Sequence, residues 1–188
     1  MIASDRLVLR VSEPADLAWQ IAELNSPAVM CHLGGPRDEA AIAESFERNR
    51  TALLHGDCGF WTVVLRGTGM PIGKCGLASI DSPAAPAEVR GGVQIGWTLA
   101  EPFWGHGFAS EAGRAVLGHG FSALDLPVIW SQTSDSNQAS TRVMARLGFE
   151  RCGALDYSDP DYPPEDNPTT VFSLGRGEWA ARGRRIQA

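Results

Sequence analysis

The sequence predicts a mixed α/β domain of the α+β class, in which helices cover both faces of a central, mostly antiparallel sheet. Two observations indicate this class: three strand-like segments follow one another in the middle of the chain, and strands and helices alternate after them. The 188 residues are 44% hydrophobic and 20% charged, which is typical of a globular protein. A chain of this length can bury a core without a metal or a disulfide. We therefore expect residues 1–188 to form a single domain.

Hydrophobic patterns predict the elements of the first part of the chain. Residues 6–11 alternate apolar and polar side chains, which is typical of a strand. The next stretch places Leu17, Ile21 and Leu24 on one face of a helix, and a second helix is predicted over residues 37–54. The chain therefore begins with one strand and two helices.

Three consecutive strands are predicted in the middle of the chain, over residues 60–65, 72–80 and 93–99. A turn with two glycines at 66–69 and a proline-rich loop at 82–87 separate them. Because neighbouring strands with short connections pair in opposite directions, we expect these three to be antiparallel.

The last part of the chain alternates helices and strands. A glycine-rich turn leads into a helix that ends near residue 124, and a strand is predicted over 128–132. A helix over 137–147 follows, and Gly148 occupies its C-terminal cap position. The final predicted strand covers 170–174.

Charge and composition disfavour several functional classes. Sixteen Lys and Arg against 22 Asp and Glu give a net charge of −6, whereas nucleic-acid binding needs a concentrated basic face. Lys74 is the only lysine. The four cysteines form no C-x-x-C pair and the four histidines show no metal-ligand spacing, so we expect reduced, buried thiols and no metal. The start of the chain does not resemble a signal peptide and no segment could span a bilayer, which predicts a cytoplasmic protein without a membrane partner.

The most informative stretch lies at residues 99–112. Gly105 and Gly107 allow a sharp turn that a ligand can approach closely, and the following helix begins with free N–H groups that suit a phosphate. A glycine turn that only joins a strand to a helix is the alternative. A Rossmann fingerprint would need glycine or alanine at Ser110, and a P-loop would need Gly-Lys before Ser or Thr, whereas the single lysine is followed by cysteine.

Four passages stand in a characteristic order along nearly the whole chain. They are S-D-R-L-V-L-R at 4–10, I-G-W at 95–97 with W-G-H-G-F-A-S-E-A at 104–112, N-Q-A-S at 137–140 with L-G-F at 147–149, and E-W at 178–179. In this combination the chain resembles the GNAT superfamily of acetyl-CoA-dependent N-acetyltransferases, and within it the RimJ/RimL-type ribosomal-protein acetyltransferases.

The resemblance implies the GNAT fold, a sheet of seven mostly antiparallel strands that is splayed between the fourth and fifth strands. The acetyl-pantetheine arm of acetyl-CoA would lie in that gap, with residues 93–99 as the fourth strand. Backbone groups of Trp97 and Leu99 would pair with the pantetheine amides, and Asn137 would cap a helix and contact the arm. The N–H groups of the turn would bind the pyrophosphate; they belong to Gly105, His106, Gly107, Phe108, Ala109 and Ser110. Trp104 replaces the usual Gln or Arg, so we expect no side-chain contact there.

Acetyl transfer needs a proton for the departing thiolate and a neutral amine. Met144 occupies the position of the family's tyrosine acid, so Ser140, one helical turn earlier, is the candidate acid. A serine that only satisfies backbone groups in the first helical turn is an equal alternative. Gln94 stands where many relatives have a glutamate base. Four substitutes have no supporting motif: Asp81, Glu88, Glu101 and His32.

The absence of a glutamate base at Gln94 favours a weakly basic acceptor. An α-amine with a pKa near 8 is partly neutral at pH 7, whereas a lysine side chain is almost fully protonated. Glu111 is interpreted as structural because it would repel a pyrophosphate. Residues 156–166 carry five carboxylates and no Lys, Arg or His. This composition predicts a solvated loop. The alternative is a loop that borders the acceptor cleft and attracts a cationic substrate.

We therefore predict an acetyl-CoA-dependent N-acetyltransferase that acts on a protein or peptide N-terminus or on a small amine. A cationic acceptor and a homodimer are compatible with the sequence, and neither a nucleic acid nor a membrane is expected as a partner. A GNAT-fold module that binds CoA or acyl-CoA for regulation, with little turnover, is the alternative. A nucleotide-dependent oxidoreductase is disfavoured by the strand order.

Overall fold

An eight-stranded sheet organises the chain in the computed structural model, which describes residues 1–186, with side chains described as far as residue 182. The strands lie in the order β1-β2-β3-β4-β5-β6-β8-β7. Their bounds are β1 Ile2–Ala3, β2 Leu7–Arg10, β3 Phe60–Leu65, β4 Pro71–Ser79, β5 Val93–Leu99, β6 Val128–Ser134, β7 Glu150–Arg151 and β8 Thr169–Gly175. All neighbouring strands of this sheet are antiparallel except β5 and β6.

Six helices pack on the two faces of this sheet. Their bounds are α1 Asp16–Leu24, α2 Pro27–Met30, α3 Glu39–His55, α4 Phe108–Ser122, α5 Gln138–Leu147 and α6 Arg176–Ile186. Helix α4 packs on β4 and β5 and also contacts α5, whereas α1 packs on β4 and α3 on β3. The rings of Phe121 in α4 and Trp179 in α6 lie 5.8 Å apart, which places the start of α6 beside α4.

The sheet opens between β5 and β6. These strands are parallel and share a single register pair, Gln94 with Trp130, whereas β4 and β5 pair along seven residues from Gly73–Leu99 to Ser79–Val93. Beyond the shared pair the two strands diverge and leave a gap. The predicted splay is therefore confirmed at the strand 93–99.

Alternation along the central strands divides the sheet into two chemically different faces. Odd-numbered residues such as Trp61, Cys75 and Ile95 are buried in the main hydrophobic core, together with Val116 and Leu117 of α4. From Lys74 onward the even-numbered residues of β4, and those of β5, lie on the opposite face, where the register pairs Lys74 with Thr98 and Gly76 with Gly96. Ile72 is buried in the main core, at the register shift between β3 and β4. Small and polar residues on that second face leave room for a cavity.

The sheet has eight strands, whereas the family resemblance implies seven and the sequence pattern locates six of them. The additional strands β1 and β7, and the short helix α2, contain two to four residues each. A two-residue strand carries no periodic signal and forms only because a neighbouring strand supplies its hydrogen bonds. Helix α6 follows β8 directly and was also not predicted as a helix.

The cysteines were predicted to be reduced and buried, and the structure corrects the second part. All four are free thiols, but only Cys75 is fully buried, and Cys31 is exposed. Burial raises the pKa of the Cys75 thiol far above its usual range. Within residues 1–186, no helix is both long and apolar enough to cross a membrane.

Candidate functional site

Two cavities occupy the opening of the sheet. The turn cavity, of about 530 Å³, lies between the end of β5, the glycine turn with the start of α4, and α5. The gap cavity, of about 470 Å³, lies on the even-numbered face of β4 and β5 and extends to β6 and to the loop before β8. Six residues line both cavities, so the two are continuous: His32, Leu33, Trp97, Thr98, Asn137 and Ser140.

The glycine turn has the geometry of an anion site. Gly105 and Gly107 have φ angles of 78° and 80°, a region in which side chains are strained. Gly107 is the N-cap of α4 and offers no side chain, so the first N–H groups of the helix have no side-chain acceptor at the cap. Ser110 in the first turn is 8% exposed, and its buried Oγ has no hydrogen-bond partner within the described residues. These unpaired donors, next to a cavity, suit a phosphate group.

Two arginines that the sequence analysis did not identify also line the turn cavity. Arg142 and Arg146 lie four residues apart on α5, which places them on one face of the helix. Their charges add to the positive end of the α4 dipole. The turn cavity therefore fits a ligand with several phosphates, although the whole chain carries a net charge of −6.

A carboxylate attaches the start of β2 to the phosphate turn. Glu111 Oε1 accepts hydrogen bonds from Ser4 Oγ at 2.7 Å and from the Arg6 backbone N–H at 2.8 Å. Its Oε2 accepts from Arg6 Nε at 2.7 Å and lies 2.6 Å from Arg6 Nη2. Arg6 Nη1 also donates to the His106 carbonyl at 3.2 Å, and its guanidinium lies 4.5 Å from the centre of the Phe108 ring. Glu111 therefore supports the turn from behind, in agreement with its predicted structural role.

The pKa of Glu111 is lowered despite its partial burial. Burial by itself would raise the pKa, but the hydrogen bonds from Arg6 and Ser4 and the charge of Arg6 stabilise the carboxylate more strongly. The carboxyl group is therefore ionised in the folded protein at neutral pH, and its charge is neutralised by Arg6 before it can repel a ligand.

The predicted donor-site residues lie together, with one exception. The turn cavity is lined by Trp97, Leu99, Gly105, Gly107, Phe108, Ala109, Ser110 and Asn137. His106 is exposed and does not line it; its ring lies 5.8 Å from the Phe108 ring. The indole N–H of Trp104 donates to the Leu99 carbonyl at 2.7 Å, so a ligand amide would have to share that acceptor.

Ser140 and Asn137 form the start of α5 where the two cavities meet. Asn137 Oδ1 accepts from the Ser140 backbone N–H at 3.1 Å, so the cap is supplied by asparagine. The Ser140 hydroxyl makes no hydrogen bond to any described residue, and it is not needed to satisfy the helix terminus. The cap is therefore supplied by Asn137, and the Ser140 side chain lies at the junction of the two cavities. Met144, one turn further along, is 1% exposed and has no proton to donate.

His32 and Asp166 form a hydrogen-bonded pair at the same junction. Asp166 Oδ1 lies 2.9 Å from His32 Nδ1 and accepts from Ser136 Oγ at 2.8 Å and Ser134 Oγ at 3.1 Å. Burial would raise the pKa of Asp166, but the hydrogen bonds from His32, Ser136 and Ser134 lower it below its usual range. An ionised carboxylate can only accept, so Nδ1 of His32 is the donor in this pair, and in the neutral imidazole Nε2 is the nitrogen with the lone pair.

The acidic segment is solvated only in part: residues 160, 161, 164 and 165 are exposed, as the sequence favoured, but two of its carboxylates are buried. Asp159 and Asp166 are each 5% exposed, and both line the gap cavity together with Tyr157 and Tyr162. Burial comes first among the causes that raise the pKa of Tyr162, and the nearby carboxylates of residues 159, 161 and 166 raise it further. The alternative interpretation, a loop that borders the cleft, agrees with the structure.

The other candidate bases differ in their positions. Asp81 lines the gap cavity, as does Gln94, which stands at the expected position of the base. Glu88 lines neither cavity, and Glu101 accepts a hydrogen bond from Ser26 Oγ at 3.0 Å. Among the four substitutes named from the sequence, His32 is the one that lies at the junction and has a positioned partner.

The chain is similar to proteins of one family. The family model described as acetyltransferase (GNAT) domain matches residues 6–150. An uncharacterized N-acetyltransferase of Bacillus licheniformis, p20, is 32% identical over 180 residues, which cover 94% of this chain and 97% of p20.

Solved structures of acetyltransferases share the fold. An acetyltransferase from Agrobacterium tumefaciens is 28% identical, superposes with a TM-score of 0.73, and the match covers 92% of both chains. Spermidine N-acetyltransferase from Vibrio cholerae, in complex with CoA and spermine, has a TM-score of 0.74 at 16% identity, with 94% of this chain and 99% of that chain covered.

Proposed function

The chain belongs to the acetyltransferase (GNAT) domain family, and we propose that it transfers the acetyl group of acetyl-CoA to a primary amine. The family identifies it as an acyltransferase; the amine acceptor and the residue roles are our proposal. The observation that carries the proposal is the continuity of the two cavities, which share six lining residues at the opening of the sheet. We further propose that residues 1–188 form one domain and that the chain is of the RimJ/RimL type, on the four sequence passages named above.

Acetyl-CoA would occupy the turn cavity. The N–H groups from Gly105 to Ser110 and the unpartnered Ser110 hydroxyl would bind the pyrophosphate, with Arg142 and Arg146 close enough to contribute charge. The pantetheine arm would lie along the free edge of β5 at Trp97 and Leu99 and pass Asn137. The thioester would then reach the junction of the two cavities.

His32 is proposed as the general base. Its Nδ1 is held by Asp166, which fixes the tautomer and leaves Nε2 able to accept a proton from the incoming ammonium or from a bridging water. The charge of Asp166 would stabilise the imidazolium that forms. This pair replaces the glutamate that many relatives carry where this chain has Gln94.

The transfer itself forms an N–C bond to the acetyl carbon and breaks the C–S bond of the thioester. The incoming ammonium loses one proton to His32, which later releases it to water. As the tetrahedral intermediate collapses, the Ser140 hydroxyl gives its proton to the departing thiolate and takes the second proton from the nitrogen, directly or through water. The oxyanion of the tetrahedral intermediate would be stabilised by the backbone N–H groups near Gly96 and Trp97. The buried carboxylates of the gap cavity would attract the cationic form of the amine before it is deprotonated.

A protein or peptide N-terminus, or a small amine, is the acceptor class that this arrangement favours. An α-amine is partly neutral at pH 7, so a histidine base suffices, whereas the pKa of a lysine side chain near 10.4 demands more. The comparisons give no support to the alternative of a regulatory module with little turnover.

The test is CoA thiol release from acetyl-CoA by the purified protein with a panel of peptides and small amines. We expect release with at least one class of amine, and His32→Gln should lower kcat/KM by about a hundredfold. His55→Gln, at the exposed end of α3, is the matched control and should behave as the native protein. Full kcat/KM in His32→Gln would exclude His32 as the base, and no thiol release with any amine would refute acetyl transfer.

A further inference from the structure

The only lysine of the chain lies inside the gap cavity. Lys74 is in the middle of β4, on the even-numbered face, and its register partner on β5 is Thr98, which lines both cavities. Neighbouring strands are about 4.8 Å apart, so the lysine stands next to the junction instead of at the outer rim. Its Nζ lies 5.8 Å from the centre of the Phe60 ring, which also lines the cavity.

Lys74 has no partner for its charge. Within the described residues, no carboxylate lies within 4 Å of Nζ and no hydrogen bond involves it. The carboxylate of Asp16, which accepts from Thr62 beside Lys74 on β3, is already held by Arg10 at 2.6 and 2.9 Å. The charge of a lysine that is only partly exposed and unpaired is costly, and the cost is removed either by loss of the proton or by a ligand that supplies the missing anion.

A second cation adds to this cost. Arg37 lines the same cavity, and its guanidinium makes no hydrogen bond among the described residues, while its backbone is held by Asn25. Burial and the positive charge of Arg37 lower the pKa of Lys74. An anion bound between Lys74 and Arg37 would offset the burial of the Lys74 charge, because it would pair with it. It would also reduce the repulsion between the two cations.

We propose that Lys74 and Arg37 bind a carboxylate of the acceptor, so that the substrate is an amine that carries its own carboxylate group, as an amino acid does. The cavity presents both signs of charge, since Asp159 and Asp166 of the loop before β8 are buried in its wall. A molecule with an ammonium and a carboxylate close together matches that distribution, and a simple polyamine does not. The inference rests on the acetyl transfer proposed above and specifies its acceptor.

The test compares amino acids with their primary amides and with the corresponding decarboxylated amines in the thiol-release assay. Rates are compared at several pH values, so that each pair is judged at equal concentrations of neutral amine. We expect kcat/KM for the acid to exceed that for its amide by about 10- to 100-fold, the range of a charge-assisted hydrogen bond. Lys74→Met should reduce this ratio towards one by raising KM for the acid, and Lys74→Arg should retain most of it.

Arg48→Met is the matched control, since it removes an exposed positive charge of α3 that lines neither cavity, and it should leave the ratio unchanged. Equal rates for acid and amide in the native protein, or an unchanged ratio in Lys74→Met, would overturn the proposal. Stoichiometric acetylation of Lys74 without an acceptor, detected by mass, would also overturn it. If Lys74→Met does not fold, the proposal is tested by the ratio of kcat/KM for acid and amide in the native protein and by the reduction of that ratio in Arg37→Met. No thiol release with any amine would instead refute the transfer activity itself.

Discussion

Glu111→Gln should separate the support of the phosphate turn from the chemistry of transfer. Glutamine keeps the shape of the side chain but replaces one carboxylate oxygen by an NH₂ group, which cannot accept. Each oxygen of Glu111 faces two donors, with Ser4 Oγ and the Arg6 N–H at Oε1 and Arg6 Nε and Nη2 at Oε2. The substitution therefore removes up to two hydrogen bonds and the charge that pairs with Arg6.

The expected loss follows from these contacts. Two charge-assisted bonds would contribute about 3 kcal/mol or more if fully buried, but the Arg6 side chain is 51% exposed and regains water when released. We therefore expect the free energy of unfolding to fall by about 1–2 kcal/mol at pH 7, which lowers Tm by about 3–6 °C in a domain of this size. KM for acetyl-CoA should rise because the turn loses its attachment to β2, while kcat stays close to the native value.

The pH dependence gives the sharper test. Because the pKa of Glu111 is lowered in the folded state, its stabilisation is complete above the unfolded pKa near 4.3 and is lost as the pH falls through the folded value. Glutamine does not titrate, so the stability difference between native protein and variant should shrink on acidification, measured by urea unfolding between about pH 7 and pH 3. The control is Glu178→Gln, which removes the charge of a carboxylate that accepts from the Gly175 N–H at 2.8 Å and that lines neither cavity, and it should not change KM. A difference that is the same at both ends of the pH range would refute the reasoning.

Three further predictions concern stability, proton donation and access. Asp16→Asn breaks a buried bidentate pair with Arg10, and we expect the free energy of unfolding in urea to fall by about 2–4 kcal/mol at pH 7. The loss should be smaller at acidic pH, because the pKa of Asp16 is lowered in the folded state. An equal loss at both pH values would contradict this. Ser140→Ala should unfold like the native protein but lose about a hundredfold in kcat, and unchanged kcat would remove it from the mechanism. Cys31 is exposed and lines the turn cavity, so it should react with a maleimide unless CoA is bound. Buried Cys75 should react only after unfolding. Equal labelling of Cys31 with and without CoA would place the ligand elsewhere.

The parts of the fold that the sequence predicted are those with a strong local signal. The strands β3 and β5 match their predicted ranges, and β4 is displaced by one residue, because hydrophobic pattern and flanking turns bound them. Helix α5 begins at an asparagine cap and ends at Gly148 with a φ angle of 94°, both readable from residue type. The strands β1 and β7 depend on partners elsewhere in the chain, so no local pattern could reveal them.

The same distinction holds for the candidate site. The phosphate turn and Ser140 lie within short motifs and could be named from the sequence. The pair of His32 and Asp166 is separated by 134 residues and has no characteristic spacing, so His32 was only one of four unsupported bases. The i, i+4 spacing of Arg142 and Arg146 was visible, but it points to a ligand only when α5 is placed beside the turn.

The distribution of charge, and not its sum, relates this chain to its ligands. A net charge of −6 would seem to oppose a donor with several phosphates and an acceptor with a carboxylate. The proposed phosphate site consists of backbone donors, a hydroxyl and two arginines, and the proposed carboxylate site consists of Lys74 and Arg37. The buried carboxylates of Asp159 and Asp166 line the same gap cavity, where they would face the ammonium group of the proposed acceptor. With these two proposed sites, each charged group of the substrates would meet its own local complement. Reversing the total surface charge at residues outside the two cavities should therefore affect the encounter rate more than the choice of acceptor.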